Sequence, residues 1–105
     1  MIVTHLKPPY YAVIFTTLTA NNLEGYEETA KRMEVLAQQQ EGYLGMESAR
    51  NKIGITVSYW ESEAAILQWK NQIEHTEARE KGRSLWYQQY QLRICRVERE
   101  YGFIK

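Results

Sequence analysis

Apolar positions along this chain switch between a period of two and a period of about 3.6, and each switch marks an element. Residues 10–20, YYAVIFTTLTA, are rich in β-branched and aromatic side chains and predict a strand. Tyr11, Val13 and Phe15 fall on one parity, and Ala12, Ile14 and Leu18 on the other, so both faces are expected to be buried. NNLEGYEETAKRMEVLAQQQEG then reads as a helix. Asn21 and Glu24 give a capping-box start, Tyr26, Ala30, Met33 and Ala37 share one face, and Gly42 stands where a left-handed C-cap is expected. YLGMESARN and KIGITVSYWE predict two strands joined at Asn51-Lys52 as an antiparallel hairpin. In the second of these, Ile53, Ile55, Val57 and Tyr59 form the face expected to meet the core. Gly54, Thr56, Ser58 and Trp60 form a small, polar face that ends in a tryptophan. Ser62 caps a second helix, in which Ala65, Ile66, Trp69 and Ile73 keep helical spacing. That helix is expected to break near Gly82. A short helical segment, SLWYQQY, leads into a long, charged last strand, YQLRICRVEREYGF.

The order β-α-β-β-α-β predicts one α+β domain over residues 1–105. Its arrangement is ferredoxin-like, a four-stranded antiparallel sheet with both helices on one face. Two helices cover only one face of such a sheet. A first strand apolar on both sides therefore calls for a second cover, and a two-fold homodimer packed through its sheet faces supplies it. Trp60 is assigned to that interface, and the tail YGFIK is expected to reach across to the partner.

Composition narrows the function classes. Thirteen basic residues balance thirteen acidic ones, with no like-charge block. Electrostatic capture of nucleic acid or of an anionic membrane is therefore not expected. No stretch approaches the length of a membrane helix, and the N-terminus does not read as a signal peptide. A single cysteine, Cys95, fits a reducing, cytoplasmic setting. Two histidines seventy residues apart make no metal motif, and no glycine-rich phosphate loop appears. Three tryptophans, eight tyrosines and two phenylalanines exceed the needs of a minimal core and point to a pocket or an interface.

GITVSYWESEAAILQWK, with EGYLGMESAR before it and GRSLWYQQYQLRICRVEREYGF after it, resembles the antibiotic biosynthesis monooxygenase domains. The resemblance covers roughly residues 9 to 103. It implies a dimeric α+β barrel with a pocket between helices and sheet in each subunit. It also implies a chemically mixed family of cofactor-free oxygenases acting on quinols and polyketide aromatics, haem-degrading oxygenases, and members with no assigned substrate. The haem-degrading branch uses an asparagine on the first strand, a tryptophan on the second helix and a histidine about three turns later. Trp69 matches the tryptophan. Ile14 or Phe15 stands near the asparagine position and Arg79 near the histidine position, and an arginine cannot ligate iron.

The expected activity is oxidation of an aromatic, quinol-like small molecule by O2, with neither flavin nor metal. A haem-binding or haem-degrading oxygenase with altered ligation, and a non-catalytic dimeric binding module, remain open beside it. Trp69 serves either as core on the buried stripe or as a wall stacking on a flat substrate. His75, six residues on, is a surface residue or a general base. Arg79 is a solvated helix residue or the clamp of a phenolate. Phe15, Tyr59 and Trp86 complete the expected substrate-binding set, with Trp86 packing the last short helix or closing the pocket.

Overall fold

Residues 2–80 and 86–105 are described in a computed structural model, with side chains for 2–74 and 86–105. The expected break near Gly82 lies outside the described residues. β1 (Tyr10–Thr19), α1 (Tyr26–Gln38), β2 (Tyr43–Arg50), β3 (Gly54–Trp60), α2 (Glu63–Glu80) and β4 (Tyr87–Val97) follow in the predicted order. The strands lie in the order β2-β3-β1-β4, all antiparallel. This is the ferredoxin-like arrangement expected from the periodicity.

Register assigns the faces. Tyr11 stands opposite Trp60, Val13 opposite Ser58, Phe15 opposite Thr56 and Thr17 opposite Gly54. Opposed residues share a face, so this set points to one side of the sheet. Trp60 packs there with Val13 and with Ala37 of α1 and Ala65 and Ile66 of α2. Both helices therefore cover this inner face. The outer face carries Tyr10, Ala12, Ile14, Val57 and Tyr59. As expected, β1 is buried on both sides, through Val13 inside and Ala12 outside.

Four expectations are corrected. Trp60 is 0% exposed, donates its indole N–H to Ser58 Oγ at 2.9 Å, and belongs to the core rather than to an interface. Conversely, Ile53 and Ile55, expected in the core, are exposed. The small residues of β3 face the helices because those helices bring the bulk. α1 starts at Tyr26, not after Asn21, with Gly25 at its N-cap in the left-handed region (φ 78°). Asn22 Oδ1 accepts from the Glu24 N–H in a local turn, which takes residues 21–25 out of the helix. Finally, β4 begins at Tyr87 and ends at Val97, and residues 98–105 form no regular element. Tyr87 is thus a strand residue, not part of a short helix.

At the other helix end the cap is as expected. Ser62 Oγ accepts from the Ala65 N–H at 3.1 Å. Gly42 adopts the left-handed conformation expected of it (φ 88°), though in the turn beyond α1 rather than at the helix cap, which is Gln39.

Candidate active site

Where β1, β2 and β3 present small side chains inward, the helices do not close down on the sheet. Gly54, Thr56, Ser48 and Thr17 leave a cavity of about 540 Å³ beneath α1, a volume suited to a small molecule. Tyr26, Ala30 and Met33, three members of the predicted α1 stripe, line it, while the fourth, Ala37, is buried in the core. α2 contributes Trp69 and Ile73.

Aromatic rings dominate the wall. A register shift sets Leu18 opposite Gln89 but Thr19 opposite Tyr87, passing over Gln88, and Tyr87 and Tyr90 flank one ring. That ring is Phe15, with centroids 5.6 Å from Tyr87 and 5.4 Å from Tyr90. Trp86 stands edge-on to Tyr26 at 5.9 Å and donates its indole N–H to the Glu24 carbonyl at 2.8 Å. Its own carbonyl accepts from Ala20 N–H at 2.6 Å. The turn before α1 is thereby fastened to the junction of β1 and β4, and Trp86 is fixed as one wall.

Trp69 stacks on Trp60, with centroids 5.0 Å apart and planes tilted by 32°. Its Nε1 is buried and has no hydrogen-bond partner among the described residues. A buried N–H left without an acceptor costs about 1–3 kcal/mol. Trp69 thus lines the ring-walled cavity while its N–H lies buried behind that wall, without a partner among the described residues.

A charged group sits at the rim. Arg50 ends β2 on the inner face and donates from Nη2 to Thr17 Oγ1 at 2.6 Å and to Tyr26 Oη at 3.1 Å. It also lies 5.7 Å from the centre of the Tyr26 ring. Tyr87 Oη completes the group, 3.3 Å from Tyr26 Oη. A side chain at Gly54 would collide with the Arg50 guanidinium, so the glycine leaves the space the guanidinium fills.

Of the residues expected to bind substrate, Phe15, Trp69 and Trp86 meet at this cavity. Tyr59 does not, because β3 turns it to the outer face. There its hydroxyl donates to Glu47 Oε1 at 2.5 Å, while Tyr10 donates to Glu100 Oε1 at 2.6 Å. Burial first, then these carboxylates, raise both phenols, Tyr10 to about 12 and Tyr59 further. The side chains of His75 and Arg79 lie outside the described residues. Arg50, Tyr26 and Gly54 were not among the site residues expected from sequence. The available signal was the alternation Met46, Ser48, Arg50 together with a hairpin register that sets Arg50 against Gly54.

No group of three metal-ligating side chains occurs among the described residues. A porphyrin iron takes histidine, cysteine, methionine or tyrosine as axial ligand. The described lining has neither histidine nor cysteine, and its tyrosine hydroxyls, on Tyr26 and Tyr87, are engaged with each other. Met33 and Met46 alone do not make the histidine-ligated haem site that resemblance to the haem-degrading branch implies. His75, the ligand expected if haem binds, has its side chain outside the described residues.

Over residues 9–81 the sequence matches the family described as antibiotic biosynthesis monooxygenase. It is 52% identical over 96 residues to YqjZ of Bacillus subtilis (strain 168), an uncharacterised protein, covering 90% of this chain and 84% of that one. Among solved structures it resembles SnoaB, a cofactor-independent oxygenase from Streptomyces nogalater. The TM-score is 0.72 at 10% identity, covering 89% of this chain and 97% of that one. It also resembles a MhuD variant with two manganese protoporphyrin IX molecules bound per active site. Here the TM-score is 0.67 at 18% identity, covering 89% of this chain and 99% of that one. At such identities the structural likenesses concern the fold.

Proposed function

Because the chain belongs to the antibiotic biosynthesis monooxygenase family, we propose that its cavity holds an electron-rich, quinol-type aromatic and directs its oxidation by O2 without flavin or metal. The observation that carries this reading is a cavity walled by the rings of Phe15, Tyr26, Trp69, Trp86 and Tyr87, of which Trp69 keeps a buried N–H without a partner among the described residues. Rings accept a flat substrate by stacking. The lone donor suits an oxygen that gains negative charge as the substrate reacts.

The reaction balances without an external reductant. A quinol and O2 give a hydroxyquinone and water. One oxygen atom replaces a ring hydrogen, the other leaves as water, and the quinol supplies all four electrons. The protein must remove a phenolic proton, hold the resulting anion and keep water from the ring. Trp69 shapes the pocket and donates to the anion. His75 is proposed as the proton acceptor and Arg79 as a second partner of the phenolate. We read the assembly as a homodimer in a cytoplasmic setting, joined through the sheet faces away from the helices. No helix among the described residues is long and apolar enough to cross a membrane.

Oxygen uptake with a panel of quinols tests the reading. Trp69→Phe keeps a stacking ring and removes the N–H, and kcat is expected to fall roughly 10²-fold. An unchanged kcat counts against the role of the indole. A ligand-dependent thermal shift without turnover favours the non-catalytic binding module.

A further inference from the structure

We infer that Arg50 is the specificity determinant of the cavity and that its ligand is a flat aromatic bearing a carboxylate. This inference rests on the cavity being the substrate site, and it adds the class of substituent that the site selects.

Three observations converge on it. First, Arg50 lines the cavity, yet the partners described for its guanidinium are two neutral hydroxyls, those of Thr17 and Tyr26. No carboxylate among the described residues pairs with it. Glu27 and Glu34 also line the cavity and, like Arg50, are exposed, but neither pairs with the guanidinium. Second, both contacts run through Nη2, and Nη1 and Nε keep donors for a planar acceptor. A guanidinium presents paired N–H groups that match a carboxylate in a two-pronged contact. Third, the position is built. Thr17 and Tyr26 hold the guanidinium from β1 and α1, and Gly54 leaves the space it fills on β3. Tyr26 is held in turn by its contacts with Trp86 and Tyr87. A cation held against the Tyr26 ring, in a cavity also lined by Phe15 and Tyr87, recognises an anion attached to a ring better than an anion alone.

The test compares 2-naphthoate with 2-naphthamide, two ligands of one shape that differ in charge. Binding is read by quenching of tryptophan fluorescence at neutral pH and low salt. Naphthoate is expected to bind about tenfold or more tightly than the amide, in line with a charge-assisted contact. Arg50→Gln is expected to bring the two within about twofold by weakening naphthoate alone, and Arg50→Lys to recover only part of the preference. Gly54→Ala, which displaces the guanidinium without removing it, should behave like Arg50→Gln. Circular dichroism confirms that each variant is folded. Equal affinities in the unaltered protein, failure of both ligands to bind, or a preference that survives in Arg50→Gln overturns the inference. Turnover of neutral quinols without any carboxylate preference would overturn it while leaving the oxygenase reading intact. A carboxylate preference with no oxygen uptake from any quinol would do the reverse.

Discussion

Tyr59 and Trp60 are neighbours in β3 with opposite surroundings. Trp60 is enclosed by the helices, while Tyr59 joins Tyr10, 5.8 Å away, in a phenol–carboxylate cluster on the outer face. That cluster gives stability an alkaline limit. Both phenols keep their protons in the folded protein above the usual value near 10, Tyr10 up to about 12. Between those values the folded state binds more protons than the unfolded chain, so stability falls as pH rises through this window and is fully present below it. Urea midpoints at about pH 9 and pH 11 should show the decline, and Tyr59→Phe should flatten it. An equally steep decline in the variant contradicts the assignment. At this scale sequence reading had the alternation of β3 right and its direction inverted. Gly54, Thr56 and Ser58 look like a wetted face because a sheet face emptied to make a cavity is also small and polar. Ile55 and Val57 look like core because the outer face is apolar too. Trp69 and Phe15 could be found from spacing and resemblance. For Arg50 the alternation of β2 gives only its face, since its importance arises when β1, α1 and β3 surround it.

Among the elements, the joints carry the most information. Gly42 lies in the turn from α1 to β2, and its carbonyl accepts from the Glu61 N–H at 2.8 Å, where β3 passes into α2. Its φ is 88°, and an added Cβ would stand 2.7 Å from the Cβ of Ala65. Gly42→Ala therefore combines left-handed strain with a collision against a core residue of α2. It should cost about 1–3 kcal/mol in chemical denaturation, and an unchanged midpoint would show that the joint adapts. The Ser62 cap and the Gly42 turn were legible because local chemistry sets them. The start of α1 was not. Asn21 and Glu24 fit a capping box, yet Trp86, sixty-two residues beyond Glu24, takes the Glu24 carbonyl for its indole N–H. Sequence spacing does not disclose a partner that distant.

The whole molecule ends in apolar surface. Tyr101, Phe103 and Ile104 are 87%, 86% and 75% exposed, Ile55 is exposed on the outer face of the sheet, Ile53 in the turn before β3, and Leu92 and Ile94 on the inner face of the edge strand β4. Surface of this kind normally meets another chain, which supports the proposed homodimer. Sedimentation at micromolar concentration should give twice the 12.4 kDa chain mass, and a monomer would contradict it. The element order was legible because periods of 2 and 3.6 alternate along the chain. The cavity was not, because it is a space left by small residues on three strands. The most direct measurement of the central claim is oxygen uptake by the purified protein across the quinol panel. The account predicts saturable uptake above autoxidation that falls roughly 10²-fold in Trp69→Phe. Uptake no faster than autoxidation for every quinol would contradict it.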